Sequence, residues 1–189
     1  SSMLDMNDIK VGTLVKIDGA PYVCLWSDFM RTAQRKPVRR TKLKNLITGS
    51  VLEQTYKHGD KIEEADVERT KASYLYSDDS GVHLMDSVSF EQVPVPKEMV
   101  AEQIHFMKDG VEYTVVNFEG KPITVELPKK VELKVMETSD VVRGDTTGAV
   151  LKDATLETGY VIRVPQFVKT GDVIRINTET EEYAERVTE

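Results

Sequence analysis

Seven basic side chains lie within eighteen consecutive residues, 29–46, and no acidic residue interrupts them. They are Arg31, Arg35, Lys36, Arg39, Arg40, Lys42 and Lys44. Guanidinium groups make forked contacts with phosphate oxygens, and ammonium groups add point-charge contacts. A solvated loop would instead carry charges of both signs. The spacing therefore predicts that this segment binds the phosphates of a nucleic acid.

The rest of the chain is acidic, which makes the basic segment stand out. The formal net charge is −7 over 189 residues, from 25 basic and 32 acidic side chains. Without the seven basic residues of the segment, 18 basic residues face 32 acidic ones, a net charge of −14. Because an acidic surface repels phosphate, we expect nucleic-acid binding to be focused on this segment. Phe29 is the only aromatic residue bordering it, which argues against a platform for stacking bases.

No arrangement for catalysis or metal binding accompanies the basic segment. His58, His83 and His105 are far apart and none has a neighbouring cysteine, so we expect no metal site and no cofactor. Nucleotide-binding and nucleophile-elbow motifs are absent from the sequence. The single cysteine, Cys24, is expected to be a small buried side chain, as is usual in a reducing cytoplasm. No apolar run approaches the roughly 20 residues that span a bilayer, so we expect no membrane contact. The lack of a catalytic set leads us to expect a non-enzyme, and the lone cysteine a cytoplasmic one.

Alternation of apolar and polar residues dominates the chain and predicts β-strands. The clearest segments are "VGTLVKI" (11–17), "PITVEL" (122–127) and "VELKV" (131–135). In the first, Val11 and Val15 share the predicted buried face; in the second, Thr124 lies on the opposite face from Ile123 and Val125. Turn signals such as Asp18-Gly19 and Glu119-Gly120 separate apolar runs and indicate hairpins.

Helical spacing is scarce. It is best in "PKEMVAEQIHFM" (96–107), where Val100, Ile104 and Met107 share one face, and we predict one short helix there. The fold class is otherwise all-β.

Two joints divide the chain into pieces of about 60 residues, the size of SH3-like or OB-type barrels. The segment "GDKIEEADVER" (59–69) is polar and acidic. Pro128 interrupts "LPKKVELKV" (127–135), and proline cannot donate to the ladder of a central strand.

A second turn-like element, "GDTTG", exposes backbone N–H groups that could meet a phosphate or a base. It comprises Gly144, Asp145, Thr146, Thr147 and Gly148. Taken alone, it is better explained as an ordinary loop between strands.

Longer stretches closely resemble bacterial elongation factor P over nearly the whole chain. They are "SDFM" (27–30), "RTKLKNLITG" (40–49), "GDT" (144–146), "KDATLETGYVIRVPQFVKTG" (152–171) and "EEYAERV" (181–187). The resemblance implies three small β-barrels in an L shape similar to tRNA. An SH3-like barrel at 1–65 would carry the basic loop 30–40, and OB-fold barrels would follow at 66–128 and 129–189.

The same resemblance implies a monomeric translation elongation factor that binds the ribosome between its peptidyl and exit sites. The factor would contact peptidyl-tRNA and rRNA and would promote peptide bond formation at consecutive prolines by positioning the tRNA, without an acid or base of its own. The implied phosphate contacts are Arg31, Arg39, Arg40, Lys42 and Lys44, and residues 144–148 would face RNA. The alternative is an OB-fold RNA-binding protein, such as an RNA chaperone, that acts off the ribosome.

At the tip of the loop, the sequence departs from the family. The usual "KPGKG", whose second lysine is modified in many members, is replaced by Arg31, Thr32, Ala33, Gln34 and Arg35. Three interpretations stay open. Gln34 acts unmodified through its amide, the loop is re-registered so that Arg35 or Lys36 forms the tip, or the task of this member has shifted.

Overall fold

The computed structural model describes residues 2–139 and 150–187. Within these ranges the chain forms strands and three short 3₁₀ helices, and no α-helix, so the all-β prediction is confirmed. The strands are β1 Met3–Leu4, β2 Leu14–Ile17, β3 Ala20–Met30, β4 Val38–Asn45, β5 Val51–Lys57, β6 Ile62–Glu63, β7 Glu68–Asp78, β8 Gly81–Asp86, β9 Gln92–Pro96, β10 Glu112–Phe118, β11 Lys121–Glu126, β12 Lys130–Thr138, β13 Leu151–Leu156, β14 Val161–Pro165, β15 Val173–Asn177 and β16 Glu182–Arg186. The 3₁₀ helices are Met6–Asp8, Lys97–Met99 and Gln103–Phe106. In the described part of the chain, no helix is long and apolar enough to cross a membrane.

The chain forms two compact units, the first made of Ser1–Thr70 with Val116–Thr124 and the second of Lys71–Val115 with Val125–Glu189. The sheets have the orders β2-β3-β4-β5, β1-β6, β11-β10-β7-β8-β9 and β14-β13-β12-β15-β16.

In the first unit, the four-stranded sheet packs its inner face on a small apolar core. Ile9, Val15 and Leu43 are fully buried in it. Cys24 belongs to the same core, as predicted. Its thiol donates to the carbonyl oxygen of Trp26 at 3.2 Å, and burial raises the pKa of the thiol.

In the second unit, the β14-β13-β12-β15-β16 sheet encloses a separate core. Val131, Leu133 and Val135 lie in this core, whereas Glu132 and Lys134 are exposed, so the alternation predicted for 131–135 is confirmed. Regular alternation follows because one face of β12 packs on the core and the other meets solvent.

Two strand predictions are partly wrong. Val11 is exposed because β2 begins only at Leu14, after Gly12 takes a φ of +92°. In β11, Thr124 is buried together with its neighbours Ile123 and Val125, so both faces of this strand are covered rather than one.

The stretch 96–107 does not form the single helix that its spacing predicts. The stretch forms the 3₁₀ helices Lys97–Met99 and Gln103–Phe106, interrupted at Val100, whose φ of −130° and ψ of 25° lie outside the helical region. Neither helix has a hydrogen bond from a capping side chain at its N-terminus. So short a segment, without a cap and with β-branched residues, does not recover the cost of nucleating an α-helix.

Two hairpin predictions are confirmed. Asp18-Gly19 joins β2 to β3 with φ values of 50° and 80°, and Glu119-Gly120 joins β10 to β11 with φ values of 50° and 77°. Two consecutive left-handed residues are what a two-residue hairpin turn requires.

Candidate nucleic-acid interface

The basic segment folds as a β-hairpin whose two strands position its side chains. Strands β3 and β4 pair in antiparallel register from Tyr22 opposite Asn45 to Met30 opposite Val38. Strand β4 also pairs with β5, from Val38 opposite Lys57 onward. The connecting loop, residues 31–37, therefore extends from the four-stranded sheet β2-β3-β4-β5, which holds both of its ends in place. We call residues 26–42 the basic arm.

Two cation–ring pairs lie across the strands of the basic arm. Arg39 is opposite Phe29 in the register, and its guanidinium carbon is 5.6 Å from the ring centroid. Lys42 is opposite Trp26, and its ammonium nitrogen is 6.0 Å from that ring. Both rings are about 40% exposed, at 43% for Phe29 and 40% for Trp26. Aromatic faces attract cations, so the pairs hold the two basic side chains along the strands.

Sequence reasoning missed Trp26, because the residue lies outside the segment 29–46. Its contact with Lys42 follows from regular pairing outward from the loop, because every pair from Met30–Val38 to Trp26–Lys42 keeps one register and the shift comes only beyond Trp26, toward Cys24. A signal was available: counting back from the loop along paired strands puts an aromatic residue beside a basic one. The bulge between Cys24 and Trp26 lies beyond this pair and does not change that count.

Arg39 is the most firmly held of the predicted phosphate-binding residues. Its Nη1 donates to the hydroxyl oxygen of Ser27 at 2.8 Å, and that hydroxyl donates to the carbonyl oxygen of Ile9 at 2.9 Å. Its Nε is buried without a hydrogen-bond partner among the described residues. Arg39 therefore ties the basic arm to the segment before β2, and only part of its guanidinium faces solvent.

The other cations of the basic arm are largely uncompensated. Arg31, Arg35 and Lys36 are exposed and form no hydrogen bond or ion pair through their side chains with any described residue. The guanidinium of Arg40 is 3.9 Å from the sulfur of Met30, and it makes no ion pair with Asp28, its cross-strand neighbour. Lys44, the last predicted contact, lies further along β4 and is half-buried. The side chains of Arg31, Arg35, Lys36 and Arg40 therefore keep their positive charge available to an outside anion.

The loop tip is a tight turn centred on the position that the resemblance singled out. The backbone N–H of Arg35 donates to the carbonyl oxygen of Thr32 at 3.3 Å, which leaves Ala33 and Gln34 as the two central residues. Both are exposed. None of the loop residues has a positive φ. The turn therefore needs no glycine, which explains how Ala33 and Arg35 can stand where the family has glycines.

Two further predictions from the sequence concern residues 144–148 and metal binding. Residues 144–148 lie outside the described residues. Among the described residues, no group of three or more histidine, cysteine, aspartate or glutamate side chains could hold a metal ion.

Three family models match the chain in succession. They are the "Elongation factor P (EF-P) KOW-like domain" at residues 5–62, the "Elongation factor P (EF-P) OB domain" at 67–125 and "Elongation factor P, C-terminal" at 131–186. A KOW-like domain followed by an OB domain fits the all-β architecture described above.

Curated relatives match over the full length. The chain is 42% identical to elongation factor P of Moorella thermoacetica, covering 97% of this chain and 100% of that protein. It is 40% identical to elongation factor P of Aquifex aeolicus, covering 98% and 97%. Among solved structures, a "Eukaryotic translation initiation factor 5A from Methanococcus jannaschii" is similar at 20% identity and a TM-score of 0.46, over 66% of this chain and 94% of that one, which is too low to bear on function.

Identity near 40% over both full lengths, with three family models in the same order along the chain, leads to one conclusion. The chain belongs to the elongation factor P family of translation elongation factors.

Proposed function

We propose that this elongation factor binds the ribosome between its peptidyl and exit sites, beside peptidyl-tRNA, and promotes peptide bond formation at consecutive prolines. The observation that carries the proposal is the basic arm. It concentrates positive charge, most of it without an ion pair among the described residues, in a chain of net charge −7. A protein that is otherwise acidic binds RNA through such an island and avoids binding it elsewhere.

The proposed mechanism is positioning rather than acid–base chemistry. Proline reacts slowly because its ring fixes φ and restricts the approach of the nucleophile. Holding the end of the peptidyl-tRNA in an attack-ready orientation lowers the barrier by removing unproductive arrangements. The exposed amide of Gln34 can donate and accept hydrogen bonds at once, which suits contact with a tRNA end.

Within this proposal, the residues divide into two roles. Gln34 at the turn contacts the tRNA end, with Arg35 and Lys36 beside it at the peptidyl transferase centre. The phosphate contacts come from Arg31, Arg39, Arg40, Lys42 and Lys44. We propose further that residues 144–148 face RNA, and that the factor acts as a monomer of three barrels, 1–65, 66–128 and 129–189, in an L-shaped arrangement.

A reconstituted translation assay tests the proposal. Ribosomes stalled on a message with consecutive proline codons should resume synthesis when the chain is added, and synthesis on a proline-free message should not change. Co-sedimentation should find the chain on ribosomes that carry peptidyl-tRNA. Strong binding to free RNA with little binding to ribosomes would overturn the proposal and favour an RNA chaperone.

Mass spectrometry on protein from its native host separates the interpretations of the tip. We expect a peptide containing residues 31–36 to have its unmodified mass. Added mass on Arg35 or Lys36 would show that the functional group lies there instead.

A further inference from the structure

A short turn in the second unit exposes two apolar side chains. Residues 86–91 form this turn, from the last residue of β8 to the start of β9, and the side chains of Val88 and Phe90 are 86% and 71% exposed. Among the large hydrophobic side chains of the described residues, these two are the most exposed. Packing within the described chain therefore does not explain why these two positions are apolar.

Every backbone N–H group of this turn donates a hydrogen bond. The carboxylate oxygen Oδ1 of Asp86 accepts from the N–H groups of Val88 and Ser89 at 2.8 and 2.9 Å. The remaining four N–H groups of residues 86–91 are also bonded. Their acceptors are the carbonyl of Glu91 for Asp86, the carbonyl of Lys71 for Ser87, the carbonyl of Asp86 for Phe90 and the hydroxyl of Ser89 for Glu91. The two apolar side chains therefore stand on a turn that is ordered before any partner arrives.

Phe90 occupies a backbone conformation that its side chain disfavours. Its φ is +61°, in the left-handed region that glycine and asparagine adopt easily and bulky residues rarely do. A phenylalanine here gains neither burial nor an easier backbone, since its ring is mostly in solvent. A strained, exposed aromatic residue on a braced turn is typical of a contact surface.

The charges around the turn indicate the kind of partner. Asp86, Glu91 and Glu112 surround it, and Glu112 accepts from the hydroxyl of Ser87 at 2.8 Å. None of the three forms an ion pair with a described residue. The nearby ammonium of Lys71 donates to the hydroxyl of Thr114 at 2.8 Å. An acidic rim repels RNA phosphate and attracts a basic protein surface.

We infer that the turn 86–91 docks on a ribosomal protein, inserting Val88 and Phe90 into an apolar pocket bordered by lysine or arginine residues. The inference rests on the proposed ribosome binding and assigns this part of it to protein rather than to RNA. A preordered apolar anchor loses little conformational entropy on binding, and aromatic anchors commonly dominate the energy of an interface.

The test compares binding to purified ribosomes that carry peptidyl-tRNA. The variant combines Val88→Ser with Phe90→Asn, because asparagine accepts the left-handed φ and keeps the turn intact. We expect its dissociation constant to rise by about tenfold or more, as for the loss of an interface anchor. The matched control is Val161→Ser, which removes an apolar side chain that is 48% exposed on β14 and should bind as the unaltered chain does.

A photo-crosslinking amino acid at position 90 identifies what the turn touches. We expect crosslinks to a ribosomal protein, at a site with apolar residues flanked by basic ones. Crosslinks only to rRNA, crosslinks between two copies of the chain, or unchanged affinity of the double variant would each overturn the inference.

The outcomes keep the two proposals distinguishable. If the unaltered chain does not bind ribosomes at all, the proposed function fails and this inference fails with it. If the unaltered chain binds and stimulates proline synthesis while the double variant binds equally well, only the docking inference fails. Backbone amide spectra of the variant, compared with those of the unaltered chain, confirm that the turn is still folded.

Discussion

Two loops of this molecule, 31–37 and 86–91, join antiparallel strands and differ in nearly every other respect. Loop 31–37 contains a single short-range backbone hydrogen bond, from Arg35 to Thr32, and carries exposed cations at Arg31, Arg35 and Lys36. Turn 86–91 has every backbone N–H bonded and carries two exposed apolar side chains within an acidic rim.

The difference is informative about how each loop can bind. A loop with few internal bonds adapts its shape to a partner, and long-range charge attraction still brings that partner close. An apolar contact gains only from close fit, so a turn that is ordered beforehand avoids losing entropy when it docks. Charged side chains are therefore suited to binding from an adaptable loop, and apolar side chains to binding from a rigid turn. Four predictions test this contrast, from the largest expected effect to the smallest.

Reversing one charge on the basic arm should have the largest effect. Arg40→Glu replaces an exposed cation that has no ion pair with a described residue. We expect ribosome affinity to fall by about tenfold or more, and the slope of log affinity against log salt to become shallower by about one. Binding titrations at several salt concentrations measure both.

The control for this prediction is Lys121→Glu, which makes the same charge change at an exposed residue outside the basic arm. Its affinity should change by much less. Equal losses in the two variants would mean that net charge, and not the arm, determines binding.

Removing the amide at the loop tip should affect the reaction more than binding. Gln34→Ala should leave the turn intact, because Gln34 does not have a positive φ and alanine adopts such a backbone as easily. We expect synthesis through consecutive prolines to slow by roughly 2- to 10-fold, the range for one lost hydrogen bond. Ribosome affinity should stay close to that of the unaltered chain. Unchanged synthesis would direct attention to Arg35 and Lys36.

Relieving the strain at Phe90 should leave the fold intact or slightly more stable. Phe90→Gly keeps the left-handed φ without its steric cost but adds freedom to the unfolded chain, so we expect the free energy of unfolding to rise by up to about 1 kcal/mol. Urea denaturation measures it. A clear loss of stability would mean that the ring of Phe90 packs in a way that its 71% exposure does not indicate.

Acid should loosen turn 86–91 and leave loop 31–37 unchanged, which is the smallest effect. The N–H groups of Ser89 and Val88 bond the carboxylate of Asp86 and hold its pKa below the ordinary value of 3.8. Because the folded pKa is depressed, this stabilisation is fully present above the ordinary value and is lost as pH falls through the lower one. The loop 31–37 contains no acidic residue.

Amide resonances measured during acid titration check this prediction. The amides of Val88 and Ser89 should shift or exchange faster in acid, and that of Arg35 should not. Asp86→Asn keeps an acceptor oxygen that cannot titrate, so its turn should lose the pH dependence. An unchanged dependence in that variant would contradict the role assigned to the carboxylate.

Where local pattern and burial agree, the sequence predicts the structure well. Alternation over 131–135 predicts β12 correctly, because one face of that strand is buried and the other is in solvent. The same reasoning is wrong for Thr124, since β11 is covered on both faces and alternation carries no information there. The helix over 96–107 is wrong because apolar spacing alone does not supply a cap or the length that nucleation requires.

The sequence by itself determined the family, the β architecture and the location of the positive charge, because these depend on residue types in order along the chain. The tertiary structure alone decided which side chains meet across strands. It brought Trp26 beside Lys42 through the register of the hairpin, attached Arg39 to Ser27, and left Phe90 exposed at a positive φ. Strand register and turn geometry join residues that are distant in the chain, and a small local change in either moves every contact that depends on it.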